Sequence, residues 1–245
     1  DPYEDMASTS PTDRTLYVRH QSLTKMINGW GGNGGATAVL EHGANPGLVS
    51  HFVKQALSEI AKRMFQDNLV GDDRVLLAQA LANGEFNMLA MLTGTKVIHI
   101  AERDTQITNT PKQVNEFVNT WSVDGFYEEG IAPAELGWGT HERTLPPRAY
   151  THNDDGPRNQ ICIAQPGMNT WVRTWVPSGE SHGMVIRHGE AYTMCKHLTV
   201  KNADGTDAYR PTVHYAYCPS NEAIASVHEL KMRDWEMQPK QRLLN

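Results

Sequence analysis

Apolar positions fall at helical spacing in the first part of the chain and at alternating spacing in the last part. Leu16, Leu23, Met26 and Ile27 share one face of a helix over residues 13–28. The run GWGGNGG, beginning at Gly29, ends it. A short strand-like run covers 37–40. Next comes the clearest pattern: Leu48, Phe52, Ala56 and Ile60 recur at i, i+4, and Val53, Leu57, Ala61 and Met64 widen the stripe. Asn45 suits the N-cap of that helix and Pro46 its first position. Residues 72–92 read as two short helices broken at Asn83-Gly84, and 96–101 as a strand leading into Glu102.

Farther on, 117–122 reads as a strand and 124–129 as a turn of helix. Strands follow at 161–165, 170–176, 183–188 and 209–217, with turns at Pro166-Gly167, Pro177-Ser178-Gly179 and Asp204-Gly205. A last helix spans 219–232 with Ala223, Val227 and Leu230 inward, and the tail 238–245 reads as truncated or loose. This order describes the edge of an α/β domain feeding an α+β domain with a mostly antiparallel sheet. Gly29, Gly31 and Gly34 formally match the GxGxxG dinucleotide fingerprint. That fingerprint must follow a strand and open a helix; here it follows a helix, so the segment reads as a loop.

A net charge of -6 with no Lys/Arg cluster argues against a nucleic-acid surface. The longest apolar run, 75–82, is far short of the ~20 residues of a membrane helix. No signal peptide opens the chain, and its first residue is Asp rather than Met, as in a piece of a longer protein. Three scattered cysteines, Cys162, Cys195 and Cys218, fit reduced thiols in the cytoplasm. Eleven His residues form no HExxH or close His/Cys quartet, so no metal is expected.

Candidate chemistry concentrates in 96–143. Between Glu102 and Glu142, the acids Glu102, Asp104, Glu116, Asp124, Glu128, Glu129, Glu135 and Glu142 are opposed only by Arg103 and Lys112, with Trp121 and Trp138 among them. Acids interleaved with aromatics and glycines suit a cleft that receives a cation; the bland alternative is an irregular surface segment.

HGANPGLVSHFVKQAL, VIHIAERDTQ, VNTWSVDGF, PAELGWGTHER, QPGMNTWVRTWVP and YRPTVHYAYCPSNEAIASVHEL, in this order, closely resemble bacterial homospermidine synthases of the saccharopine dehydrogenase-like group. The likeness covers nearly the whole chain. It implies the end of a Rossmann-type NAD domain over 1–50, without its phosphate-binding glycine segment, and a substrate domain over 51–245. Asp1-Pro2-Tyr3 departs from the family's Glu-Pro-Trp. The family uses and regenerates NAD. A hydride leaves putrescine to give an imine, a second putrescine displaces ammonia, and the hydride returns.

By position in the matching motifs, the resemblance assigns Trp121 to the iminium, and Glu102 and Glu190 to the reacting nitrogen and its proton. Asn45 would face both nicotinamide and substrate, with Gly43 on the cofactor side. His188 would share a strand face with Glu190. Glu129 would hold the distal amine, a role that Glu128 fits equally by chemistry. The expected ligands are NAD and putrescine, with no nucleic acid or membrane, and a homodimer is plausible. Two other readings stay open. One is a saccharopine- or carboxynorspermidine-type reductase, whose carboxylated substrate wants an arginine such as Arg103, Arg173 or Arg187. The other is a non-catalytic polyamine-binding module.

Overall fold

The computed structural model describes residues 8–31, 35–40, 42–152 and 159–244. Asp1-Pro2-Tyr3 and the centre of GWGGNGG, with Gly34, lie outside that set. A 3-10 turn, Pro11–Arg14, leads into α1 (Leu16–Gly29). The Thr15 hydroxyl caps α1, and the Glu135 carboxylate accepts the Leu16 and Tyr17 amides at 2.8 and 3.0 Å. An anion is what the unpaired amides of a helix N-terminus favour. The strand expected at 37–40 is absent; those residues are exposed and join no ladder.

Helix α2 (Leu48–Gln66) starts later than the sequence suggests. Asn45 is not its cap and Pro46 is not in its first turn. Gly47 is the cap position, at φ +124°, where a Cβ would sit 2.8 Å from both Gly43 N and Gly43 O. The Asn45 side chain is spent elsewhere, on Glu102 and Tyr215. Two short helices follow, α3 (Arg74–Asn83) and α4 (Phe86–Leu92), broken at Gly84 as expected.

The remainder alternates between strands and short helices. After β1 (Val97–Arg103) and β2 (Glu116–Asn119), α5 (Val123–Ile131) is capped by the Ser122 hydroxyl. Four strands follow: β3 (Pro133–Gly137), β4 (Ala149–Thr151), β5 (Gln160–Pro166) and β6 (Trp171–Val176). Then come β7 (Gly179–Met184) and α6 (Glu190–His197). The small hairpin β8 (Val200–Lys201) and β9 (Asp207–Tyr209) precedes β10 (Thr212–Cys218), α7 (Asn221–Met232) and β11 (Lys240–Leu243).

The main sheet has seven strands in the order β4-β5-β3-β10-β7-β6, with β1 beside β10. Only β1 runs parallel, from Val97↔Thr212 to Arg103↔Cys218. It takes one whole edge of β10. The other edge is therefore divided between β3, at Val213↔Gly137, and β7, at Tyr217↔Met184. This central strand is buried from Thr212 to Tyr217. Buried on both faces, it reads as a continuous run, not an alternating one.

Three expectations are corrected here. The strand foreseen at 183–188 ends at Met184, so Glu190 is not a strand-end acid sharing a face with His188; it opens α6. Helix α6 escapes notice because it is short, although Ala191, Tyr192, Met194 and Cys195 are all buried. The tail is not loose: β11 pairs in parallel with β2, and Arg242 binds the Glu116 carboxylate at 2.8 Å. The LVSHF stripe also behaves unexpectedly. Val53, Leu57 and Ala61 are buried, whereas Leu48, Phe52 and Ile60 stay exposed, Phe52 and Ile60 in a groove shared with β1.

Helix α6 lies so close to β3 that a Cβ on Gly137 would meet the Ala191 carbonyl oxygen and stand 2.5 Å from Cys195 Cβ. Gly137→Ala should therefore cost about 1–3 kcal/mol, because backbone cannot yield as a side chain can. Chemical denaturation would read this loss. A variant as stable as the parent would show that α6 is free to shift.

Candidate functional site

One cavity of about 370 Å³ draws on five parts of the chain. The loop before α2 supplies Asn45 and Pro46, and β1 supplies Glu102. Trp121 precedes α5 and Glu129 lies within it. His188 comes from the segment between β7 and α6, and β10 supplies Tyr215 and Tyr217. The two tyrosines are i, i+2 on one strand and so share a face. Glu102 is directly opposite Tyr217 in the β1–β10 register.

The polar groups form two connected sets. In the first, Tyr215 Oη donates to Glu102 Oε2 at 2.8 Å, and Asn45 Nδ2 donates to that same carboxylate oxygen and to Tyr215 Oη, the latter at 2.9 Å. In the second, His188 Nδ1 pairs with Glu190 Oε2, and Gly47 N donates to Glu190 Oε1 at 3.1 Å. The Tyr215 and His188 rings stack at 4.0 Å and 26°, joining the two sets. Trp121 Nε1 donates to Tyr217 Oη at 3.0 Å, and its ring packs against Phe126.

Burial divides the charges. Glu102 and Asn45 are exposed at the mouth, while His188 and Glu190 are buried. Burial pushes the Glu190 carboxyl up, but the His188 hydrogen bond and charge, with the Gly47 amide, outweigh it and hold it below the usual carboxylate range. Glu129 is pushed up to about 7, chiefly by burial and further by the charges of Glu128 and Glu102; His188 and Arg187 oppose the shift. Burial and the Glu102 carboxylate push the Tyr215 hydroxyl well up, so it stays a donor. Burial pushes Tyr217 up to about 12.

Five of the residues singled out in the sequence therefore line one cavity: Asn45, Glu102, Trp121, Glu129 and His188. Glu190 stands one layer behind, reaching the cavity through His188. Gly43 does not line it; its amide and carbonyl are engaged within the turn, with Pro46 O at 2.7 Å and Leu48 N at 2.9 Å. The geometry separates Glu129 from Glu128, whose Oε1 is taken by Arg187 and lies 3.7 Å from Arg19. A second cavity of about 410 Å³ shares Pro46, Glu129 and His188 with the first, so Glu129 borders both.

Most acids of 96–143 serve the fold instead. Glu116 binds Arg242, Glu135 holds α1, Asp104 takes the Thr120 hydroxyl and Glu142 accepts from Thr212 at 2.7 Å. Trp138 packs in a separate small cluster with Ala134, Leu136 and Ile161. Sequence reasoning missed Tyr215 and Tyr217. The signal was there: YAY in a strand puts both hydroxyls on one face. Among the described residues no group of three His, Cys, Asp or Glu could hold a metal ion, and no helix is long and apolar enough to cross a membrane.

Residues 43–245 match the family model of the saccharopine dehydrogenase C-terminal domain. The chain belongs to the saccharopine dehydrogenase C-terminal domain family. Two homospermidine synthases are similar to this chain: that of Blastochloris viridis, 47% identical over 83% of the chain, and that of Mesorhizobium japonicum, 44% identical over 91%. The crystal structure of the homospermidine synthase from Legionella pneumophila in complex with NAD superposes with a TM-score of 0.69, at 44% identity over 83% of the chain. The chain spans 42% of the first relative, 44% of the second and 42% of the structure's chain. The family resemblance read from the motifs and the mixed fold with a mostly antiparallel sheet both stand.

Proposed function

We propose that the complete protein is an NAD-dependent homospermidine synthase, an aminobutyl transferase that joins two putrescine molecules with release of ammonia. One observation carries this reading: the charged and ionisable lining of the cavity is Glu102, Glu129, His188 and two tyrosines, with Trp121 beside them and no Arg or Lys among the described residues. Carboxylates neutralise a diamine, and an aromatic face attracts the iminium formed between hydride removal and return. A carboxylated substrate, as in the reductase reading, would want an arginine in this cavity. Arg187 lines only the second cavity and is paired with Glu128; Arg173 lies 3.6 Å from Glu180 on the exposed face of β6.

The described residues fit one end of NAD. Asn45 and Glu102 at the cavity mouth suit the nicotinamide, while Gly43 is engaged in its own turn and offers no phosphate cradle. We assign the phosphate end to a further stretch of chain, with 1–50 as the end of the nucleotide domain and 51–245 as the substrate domain. The exposed Phe52 and Ile60, in a groove shared with β1, which is an edge strand among the described residues, support a domain seated there. Without that stretch this chain is expected to be inactive. The chemistry supplied by bound NAD is removal and return of one hydride at the amine-bearing carbon.

In this reading Glu102 receives the reacting nitrogen and its proton. His188 Nε2, which bonds no described residue, moves protons at the cavity while Glu190 orients its ring through Nδ1. Glu129 holds the distal ammonium, and Trp121 faces the iminium. A cytoplasmic location belongs to the same proposal. Homodimerisation is part of the same proposal. Incubating the full-length protein with putrescine and NAD should yield homospermidine and ammonia with no net NADH. Accumulation of NADH without homospermidine would overturn the reading.

Glu129 sets a pH dependence. Its carboxyl is raised to about 7, so the charged form that binds an ammonium grows as pH rises through that value. Putrescine remains cationic throughout this range, since alkyl amines titrate near ~10.4. Affinity should therefore rise several-fold between about pH 6 and 8, with proton release on binding. Glu129→Gln should flatten the dependence. Calorimetry in buffers of different ionisation enthalpy would read both effects, and an unchanged slope in the variant would remove Glu129 from the distal site.

A further inference from the structure

We infer that Tyr215 is a positioning residue for Glu102: together with Asn45 it commits one oxygen of that carboxylate and leaves the other for the substrate amine. The inference rests on the homospermidine-synthase reading of the cavity. Tyr215 Oη and Asn45 Nδ2 both donate to Glu102 Oε2, and Oε1 accepts no hydrogen bond from the described residues. Glu102 is exposed at the end of an edge strand. The last torsion of a glutamate is soft, and without an anchor an exposed carboxylate samples many orientations. Two convergent donors remove that freedom before substrate arrives, and such preorganisation contributes to rate more than to ground-state binding.

Tyr215 is suited to the task because it is itself fixed. Its side chain is 3% exposed, its strand pairs along its whole length with the strand carrying Glu102, and its ring stacks on His188. The same ring therefore sets the spacing between the carboxylate that meets the nitrogen and the imidazole on the other side of the cavity.

The test uses the full-length protein with putrescine and NAD, following homospermidine. Tyr215→Phe keeps the ring and its stack and removes only the hydroxyl. It should lower kcat about tenfold or more and leave KM for putrescine within about threefold, because a hydrogen bond to a charged group is lost where preorganisation matters. In a Glu102→Gln background the same change should cost less than about threefold, since its effect runs through that carboxylate. A structural role would instead cost as much in both backgrounds, and that result, or a parental kcat in Tyr215→Phe, would overturn the inference. Should Tyr215→Phe melt early, Asn45→Ser removes the other donor from an exposed loop. It should show the same kcat loss, and a parental kcat there would overturn the inference too. A parent that makes no homospermidine would overturn the reading of the cavity, and the role of Tyr215 with it. An active parent with an insensitive Tyr215→Phe overturns the role alone.

Discussion

Replacing Glu190 with glutamine in the full-length protein should lower turnover about 100-fold or more while shifting the melting temperature by only a few degrees. The magnitude is that of lost general acid–base catalysis, about 10²–10⁴. Glu190 does not touch the cavity, so the loss must come through His188. Its two oxygens both accept: Oε2 from His188 Nδ1 and Oε1 from Gly47 N. A glutamine has one acceptor oxygen and one donor nitrogen. If its oxygen faces His188, its NH₂ confronts the Gly47 amide. If its oxygen faces Gly47, its NH₂ faces Nδ1 and favours the opposite imidazole tautomer. Either way the proton at Nε2, on the cavity side, is wrongly set or the ring wrongly placed. A variant with parental kcat would show that Glu190 serves only to tie the loop at Gly47 to α6. A melting temperature that collapses with activity would make it a structural acid.

What the sequence could and could not tell about this site follows from how far apart the partners lie. The helical period of α2, the break at Gly84 and the inward face of α7 depend on neighbours within a few residues and were legible; which side of α2 is buried was not, because Val53, Leu57 and Ala61 face the core while Leu48, Phe52 and Ile60 stay exposed. The fate of each acid was not. Glu135 is spent on amides 119 and 118 residues away, and Glu116 on an arginine 126 residues away. No local pattern distinguishes them from Glu102, which faces a cavity. Glu128 and Glu129 are adjacent and chemically equal, and only burial and the reach of Arg187 separate them. Asn45 misled for a related reason. Asn before Pro is a good local cap, but a partner on β10 and another on β1 outcompete the helix for its amide. The β11 strand, KQRL, carries no apolar alternation; its pairing with β2 and the Arg242–Glu116 bridge fix it. The catalytic assignments themselves came from motif resemblance. The geometry adds their placement: Glu102, Glu129 and His188 line the cavity with Tyr215, and Glu190 stands behind His188.

Trp121→Ala should lower kcat about 30-fold while changing putrescine affinity no more than about threefold, and Trp121→Phe should recover a large part of the loss. The figure corresponds to about 2 kcal/mol, the attraction of a desolvated cation for an aromatic face. The split between rate and binding follows from when the charge is present. In the proposed reaction the ground-state ammonium groups would be held by Glu102 and Glu129, whereas the iminium would exist only in mid-reaction, so a group that stabilises it would act on turnover. The indole is well placed for this. It lines the cavity, and its Nε1–H is fixed to Tyr217 Oη at 3.0 Å. Phe126 and Tyr217 hold the ring at 5.8 and 6.3 Å between centroids. Phenylalanine keeps a face for the cation but cannot bond Tyr217, so it should restore rate incompletely. Those same contacts give the competing explanation, that Trp121 is packing. In that case Trp121→Ala would lose stability first, and kcat and affinity would fall together as the cavity wall relaxed. Turnover, putrescine titration and thermal melts on the two variants separate these outcomes: a fall in kcat alone places the ring at the iminium, and a joint fall with a lowered melting temperature removes it from the chemistry.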